Sequence, residues 1–402
     1  MNIILEQLQK TKIISNDFNN ISHKKRNKVI KEIWDSIIKN INIIKYENKK
    51  DLEKMDINDF MYDRLLLTEQ RIKAMSNSCY ELIKILDPLS KFDNEKSLIT
   101  GDWLTIKKVW VALWVVACIY EARPNVTIDV AIMCIKSWNW IILRWWTAAK
   151  YSNNILVKLI KEVLKNNEIN SDLIYNYPLD RKDLNILYNA VWLIDVIIPR
   201  GWKWLIESVR NNSKIAVIET WAWVVHLYLD EKIKEENFSK AINVIINAKT
   251  NRVSVCNALD TLIVNKNINK KLLDKLFNNL KNNWVNLIEK NVDYNKEQLS
   301  LDLNIKYVNN LDEAINHIQK YSSKHSDWIL SDDVENIQKF NREIDSSVVY
   351  ANTSTRFSDW SCFWYTWEIW ISTQKLHSRW PMWADSLVIY KYVIDSDWKI
   401  RI

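Results

Sequence analysis

The chain reads as an α/β protein built on parallel sheets, and three observations carry that reading. Short runs rich in Val and Ile alternate with longer stretches of helical period: 140–144 precedes 147–165, and Val196–Arg200 precedes a stretch beginning near Lys203. Such alternation is the pattern of strands covered by crossover helices. The length of 402 residues exceeds one simple core and implies two or three domains. No run of about 18 apolar residues is present, and the N-terminus lacks the basic-then-apolar order of a secretion signal. A cytoplasmic protein with no membrane partner is expected.

Taken in order, residues 14–85 read as helical, with Val29, Ile30, Ile33, Ile37, Ile38 and Ile41 recurring at helix spacing. Asp87-Pro88 breaks this pattern. Residues 103–121 read as strands, 127–136 as a helix, 140–144 as a strand and 147–165 as a helix. Val196–Arg200 is a strand ending in a loop, followed by a helix from about 203 and a strand at 215–219. Further on, Ala258–Val264 and Trp328–Leu330 read as strands, and Lys270–Asn282 and Leu311–Tyr321 as helices. At the C-terminus, Leu387–Val393 and Lys399–Ile402 flank a turn and read as a β-hairpin.

The net charge of +7 is spread along the chain. It describes a solvated, Lys-rich surface compatible with an anionic, phosphate-bearing ligand, without the clustering a nucleic-acid footprint needs. The five cysteines, Cys79, Cys118, Cys134, Cys256 and Cys362, form no C-x-x-C pair and are odd in number. That spacing supports neither a zinc site nor a disulfide framework. Most should be buried thiols, with one or two reactive.

One feature of the composition is anomalous: 2 Gly and 22 Trp. Together they come to 24, close to the roughly 28 glycines expected at about 7% usage. A fold of this size needs left-handed and close-approach positions, which glycine supplies. Trp stands where those positions should fall: Trp138 and Trp398 in turns, Trp145-Trp146 between a strand and a helix, and Trp202, Trp204, Trp221 and Trp223 in loops that read naturally as R-G-G-K-G and T-G-A-G. The expectation is that most of these residues are glycine, encoded by UGA and translated with the wrong table. Some bacterial lineages read UGA as glycine, and others as tryptophan. The alternative is a truly Trp-rich chain, a binding module that stacks ligands on indoles or an inactive homologue.

Sequence blocks along nearly the whole chain then point to one family. They are YDRLLLT at 62–68, IYEARPNVTIDVA at 119–131, CIKSWNWIILRWW at 134–146, IDVIIPRGWKW at 194–204, VIETWAWVVHLYLD at 217–230, NAKTNRVSVCNALDTLIV at 247–264, NTSTRF at 352–357 and EIWISTQKLHSRWPMW at 368–383. In this order, and with Trp read as Gly, the chain resembles the gamma-glutamyl phosphate reductases of the aldehyde dehydrogenase superfamily. It departs mildly at Ala112 and Val253, where proline is usual, and at Thr353 and Val225. The resemblance implies an aldehyde dehydrogenase-like fold: a Rossmann-like NADPH-binding domain over 1–228, with strands near 100–118 joining an oligomerisation element, a catalytic α/β domain over 229–384, and an oligomerisation hairpin over 385–402. It implies reduction of L-glutamyl 5-phosphate to L-glutamate 5-semialdehyde plus phosphate, in proline biosynthesis, with NADPH as hydride donor and a cysteine thioester on the path. A homo-oligomer is implied, with glutamate 5-kinase as a possible partner. Another acylating aldehyde dehydrogenase, acting for instance on a CoA thioester, is the alternative enzyme; it should lack the DRLLLT and STQKLHSRWPMW blocks.

Residue by residue, the resemblance makes Cys256 the nucleophile, since a thiolate attacks an acyl phosphate well and the thioester then accepts hydride. An isolated cysteine would be read as a buried thiol. Asn125 matches the donor to the substrate carbonyl oxygen. Lys136 and Ser137 match a stretch holding the adenosine ribose and its 2′-phosphate. Gly201 and Trp202 lie in a loop before a helix, where backbone amides hold phosphate oxygens. Glu219 and Glu368 match carboxylates near the cofactor. Arg123, Ser354, Thr355, Arg356, His377 and Arg379 are candidates for holding the substrate's anionic groups. No residue set suggests a metal.

Overall fold

The computed structural model describes residues 3–16, 21–57, 59–90, 98–100, 104–219, 223–253, 255–358, 372–379, 382–395 and 398. It divides into two compact units. The first comprises Met1–Glu219, Thr366–Trp370 and Pro381–Ile402, and the second Thr220–Tyr365 and Ile371–Trp380. The crossing at Glu219 falls ahead of the residue-228 boundary expected from sequence.

The first unit opens with helices α1 (Ile3–Asn16), α2 (His23–Lys39), α3 (Ile41–Leu52), α4 (Phe60–Leu65) and α5 (Glu69–Lys84). Side-chain caps define the starts of α2 and α5: Ser22 accepts from the Lys25 N–H, and Thr68 from the Arg71 N–H. Then come β1 (Leu98–Thr100), β2 (Leu104–Ala112), β3 (Val115–Tyr120), α6 (Pro124–Ser137), β4 (Trp140–Trp145), α7 (Lys150–Asn166), β5 (Ile174–Asn176), α8 (Leu184–Tyr188), β6 (Val196–Arg200) and α9 (Lys203–Asn212). β3 and β4 are buried at every residue, as parallel strands covered on both faces must be. Pro124 opens α6, where its missing N–H costs nothing.

The parallel sheet of this unit has the order β5-β4-β3-β6. A separate antiparallel sheet has the order β1-β2-β13, where β13 is Val388–Asp395. β13 pairs along its whole length with β2, from Val388 opposite Ala112 to Asp395 opposite Thr105, so its described partner is a distant strand. The second arm of the expected hairpin, 399–402, lies outside the described residues.

The second unit contains β7 (His226–Leu229), α10 (Glu235–Thr250), β8 (Thr261–Asn265), α11 (Lys270–Asn282), β9 (Asn286–Ile288), β10 (Asp302–Val308), α12 (Leu311–Tyr321), β11 (Ser326–Leu330), α13 (Val334–Glu343) and β12 (Val348–Ala351). Its sheet, β12-β11-β7-β8-β10-β9, is parallel throughout. Alternate residues feed two cores: Leu227, Leu229, Leu262 and Val264 pack on one face, and Tyr228 and Ile263 on the other. This is the two-residue period of a strand buried on both sides.

Candidate active site

In the first unit the chain runs from β3 outward through β4 to β5, then returns to place β6 on the other side of β3. Such a switch of direction opens a crevice at the carboxyl ends of the two strands, and ligands bind there. β3 leads into Glu121–Asn125 and β6 into Gly201–Lys203.

Glu121 organises this edge. It is buried, and its Oε1 accepts a hydrogen bond from the backbone N–H of Trp202 at 2.5 Å. Its Oε2 lies 3.9 Å from Arg64 Nη1. Burial raises the Glu121 carboxyl above its ordinary range, opposed by the residue 202 N–H and by Arg64, Arg123 and Arg200. A Cβ at Gly201 would meet Glu121 Oε1 at 2.4 Å and its Cδ at 2.5 Å, so the turn requires glycine. Neither Glu121 nor Arg64 was singled out from sequence, although DRLLLT and YEARPN carry them. Their convergence on the 200–202 turn is a tertiary fact.

Asn125 is exposed in the first turn of α6, and its Nδ2 donates to Asp129 Oδ2 at 3.2 Å. Burial pushes the Asp129 carboxyl up to about 7, against the Asn125 hydrogen bond and the charge of Arg200. Arg123 stands directly before α6 and is half-buried. Glu219 is buried 3.7 Å from Arg210, and burial raises its carboxyl too.

Lys136 and Ser137 are a correction. Both are fully buried in the last turn of α6, at the amino end of β4 and away from the switch-point crevice. Lys136 Nζ donates to Asn27 Oδ1 and the Ile85 carbonyl, each at 2.8 Å, and meets His23 Nε2 at 2.8 Å. The Ser137 hydroxyl donates to the Met133 carbonyl at 2.7 Å. Burial lowers Lys136 to about 8. These side chains join helices and do not face a nucleotide.

A phosphate-bearing cofactor suits this edge in charge and main chain, given Arg64, Arg123, Arg200, a required glycine and the ten-residue helix α9 starting at Lys203. It does not suit the side chains as written. The rings of Trp146 and Trp204 stack at 5.5 Å across the turn after β4 and the first turn of α9, and the Trp202 ring lies 4.7 Å from the Arg64 guanidinium. Close approach of phosphate to these backbones requires small residues there.

In the second unit, Cys256 lies in the loop from α10 to β8 and is partly accessible. Cys79, Cys118 and Cys134 are buried, and burial pushes the Cys118 thiol up to about 12. Cys256 is thus the accessible thiol among the described residues. The NTSTRF block comes to this loop. Thr355 Oγ1 donates to the Asn257 carbonyl at 2.5 Å, Arg356 Nη1 donates to Asn257 Oδ1, Arg356 Nε donates to Asn251 Oδ1 at 3.1 Å, and Ser354 Oγ donates to Asn247 Oδ1 at 2.7 Å. Arg379 instead joins the segment entering β12: its Nη2 donates to the Asp345 carbonyl at 2.8 Å, with Nη1 3.4 Å from the Asp345 carboxylate. His377 is exposed. Glu368 and Cys362 lie outside the described residues. Among those residues no group of three or more metal-ligating side chains occurs, and no helix is long and apolar enough to cross a membrane.

No protein-family model matches the chain. Curated relatives do. It is 42% identical to gamma-glutamyl phosphate reductase from Legionella pneumophila (strain Corby), with the whole of both chains covered. Among solved structures, gamma-glutamyl phosphate reductase from Thermotoga maritima superposes with a TM-score of 0.94 at 34% identity over all of both chains. An acetylating aldehyde dehydrogenase from Geobacillus thermoglucosidasius shares the fold, with a TM-score of 0.68 at 14% identity over 100% of this chain and 99% of the other. With full-length identity at this level, the chain belongs to the gamma-glutamyl phosphate reductase family.

Proposed function

We propose that the chain reduces L-glutamyl 5-phosphate to L-glutamate 5-semialdehyde with release of phosphate, as a step of proline biosynthesis. The observation that carries this is the accessible Cys256 on a loop bonded to the NTSTRF block, in a chain 42% identical to a reductase of that name. The Cys256 thiolate attacks the acyl carbon, the bond from that carbon to the phosphate oxygen breaks, and phosphate leaves with the electron pair. NADPH, when bound, supplies the hydride that reduces the resulting thioester. The carbon–sulfur bond then breaks and the thiolate is restored. Asn125 keeps the role of donor to the carbonyl oxygen, its amide oriented by Asp129. Glu121 takes the residue 202 N–H and, with Gly201, shapes the turn that presents the first N–H groups of α9 to cofactor phosphate. No deacylating base is needed, so Glu219 has a supporting part.

The working protein carries glycine at most of the 22 Trp positions. Trp114, Trp138, Trp192, Trp284 and Trp398 have φ between 52° and 86° and make up five of the ten described non-glycine residues at positive φ. A bulky side chain is a genuine outlier there, and glycine is at ease. The same exchange clears the stacked pair at 146 and 204. The exposed face of β13, with Tyr390, Tyr392 and Ile394 outward, supports a homo-oligomer. Supply of a labile acyl phosphate fits a nearby glutamate 5-kinase, and the family's biosynthetic role fits the cytoplasm.

The test is Cys256→Ser in the glycine-bearing protein, assayed for substrate-dependent NADPH oxidation. Activity should fall to background while the fold persists. Retention of most of the activity would refute Cys256 as the nucleophile.

A further inference from the structure

We propose that Arg356 is a positioning residue for the nucleophile: with Thr355 it clasps the two sides of the loop that carries Cys256, and it does not serve as a clamp on the substrate's anionic groups. This rests on the reading of Cys256 as the nucleophile.

The loop runs from the end of α10 at Thr250 to the start of β8 at Thr261. Its base is closed by main chain and by one buried lysine. The Leu259 N–H donates to the Ala248 carbonyl at 3.1 Å, and Lys249 Nζ donates to the Leu259 carbonyl at 2.8 Å. Above that base the loop is crossed by Arg356. Its Nε reaches Asn251 on the incoming side and its Nη1 reaches Asn257 on the outgoing side, directly after Cys256. Thr355 adds a bond to the Asn257 carbonyl, and Ser354 ties the same segment to α10 through Asn247.

A guanidinium suits this task. It is planar and presents several N–H donors in a fixed fork, so one group can span two acceptors in set directions. A lysine ammonium is a point charge and cannot hold the same pair apart. Two of its acceptors are the amide oxygens of Asn251 and Asn257, both in the nucleophile loop. A residue reserved for a carboxylate or phosphate would instead aim its fork into the space the ligand fills. The consequence is kinetic. A nucleophile displaced by about 1 Å loses on the order of 100-fold in rate, and a loop between two packed elements drifts that far once its clasp is cut.

Arg356→Ala, Arg356→Lys and Thr355→Val separate the two roles. Each is followed in the reverse direction, from glutamate 5-semialdehyde, NADP+ and phosphate, by the first-turnover burst of NADPH and by the KM values for semialdehyde and phosphate. Amide hydrogen exchange over 251–259 is measured on the free protein. In Arg356→Ala the burst rate should fall about 10- to 100-fold, exchange over 251–259 should quicken, and both KM values should stay within about twofold. Arg356→Lys should fail to restore the burst, and Thr355→Val should show a smaller loss in the same direction. Unchanged exchange with a raised KM for semialdehyde or phosphate would overturn the proposal, as would full rescue by lysine. If Arg356→Ala does not fold, the lysine and valine variants decide by the same two readouts. If Cys256→Ser kept its activity, the nucleophile reading would fail, while the exchange data would still decide whether Arg356 orders the loop.

Discussion

Gly201 is one of only two glycines written in the chain, and Glu121 explains it. A methyl group there would come within 2.5 Å of both the Oε1 and Cδ of a buried, hydrogen-bonded side chain. Gly201→Ala should therefore destabilise the protein by roughly 1–3 kcal/mol and raise the KM for NADPH more than it lowers kcat. The partner in the clash is identifiable, so Gly201→Ala combined with Glu121→Ala should cost less than the sum of the two single changes. Strict additivity in a double-mutant cycle would refute the clash. The same residues show the limit of sequence reading. Gly201 and Trp202 were legible as a loop before a helix, but their anchor at Glu121 lies 80 residues away in sequence. Lys136 reads as a phosphate ligand because its block matches the stretch that holds the adenosine ribose and its 2′-phosphate. Its place at the amino end of β4, with Asn27 and the Ile85 carbonyl as partners, follows only from the packing of α2, α5 and α6.

At the scale of elements, strongly amphipathic segments were the most legible. α11 and α12 have the limits expected, Lys270–Asn282 and Leu311–Tyr321, because Asn269 and Asn310 cap them and their apolar faces are unambiguous. The strand expected at 215–219 is reduced to one bridge, Val217 with Ile197. β13 was legible as a strand, whereas the register of its pairing with β2 was not, since that pairing spans most of the chain. The second unit also carries a pH dependence set by its elements. His317 on α12 and His325 before β11 are each lowered to about 3, chiefly by burial. Both are neutral when folded, whereas the unfolded chain takes up protons from about pH 6.5 downward. Their part of the stability is therefore intact above 6.5 and is lost as the pH falls toward 3. Asp260 and Asp129, raised to about 6 and about 7 by burial, work in the opposite sense below those values, so the histidine contribution is read by comparing two proteins. The difference in urea midpoint between the parent and a His317→Gln, His325→Gln variant should move in the variant's favour as the pH falls from 7 to 5. A difference that does not move with pH would contradict this.

At the scale of the molecule, the glycine content decides whether the fold and the site are compatible. Each left-handed residue other than glycine costs roughly 1–2 kcal/mol. Five such tryptophans would thus cost on the order of 5–10 kcal/mol, comparable with the whole stability of a typical domain, about 5–15 kcal/mol. Trp192, Trp284 and Trp398 are also almost fully exposed, so burial of their rings returns nothing. The left-handed residue at 284 ends α11, where the Val285 N–H reaches back to the Leu280 carbonyl at 3.0 Å, the arrangement that glycine closes at helix ends. A protein synthesised with all 22 tryptophans should fold poorly and should not bind NADPH, as fluorescence titration would show. Tight binding by that protein would contradict the account. The most direct test is the intact mass of the chain purified from its native host. The account predicts a mass below 48.0 kDa by about 129 Da for each residue that is glycine and not tryptophan. A mass matching 22 tryptophans would mean that indoles do fill the cofactor edge, and the reductase reading of this chain would give way to that of an inactive relative.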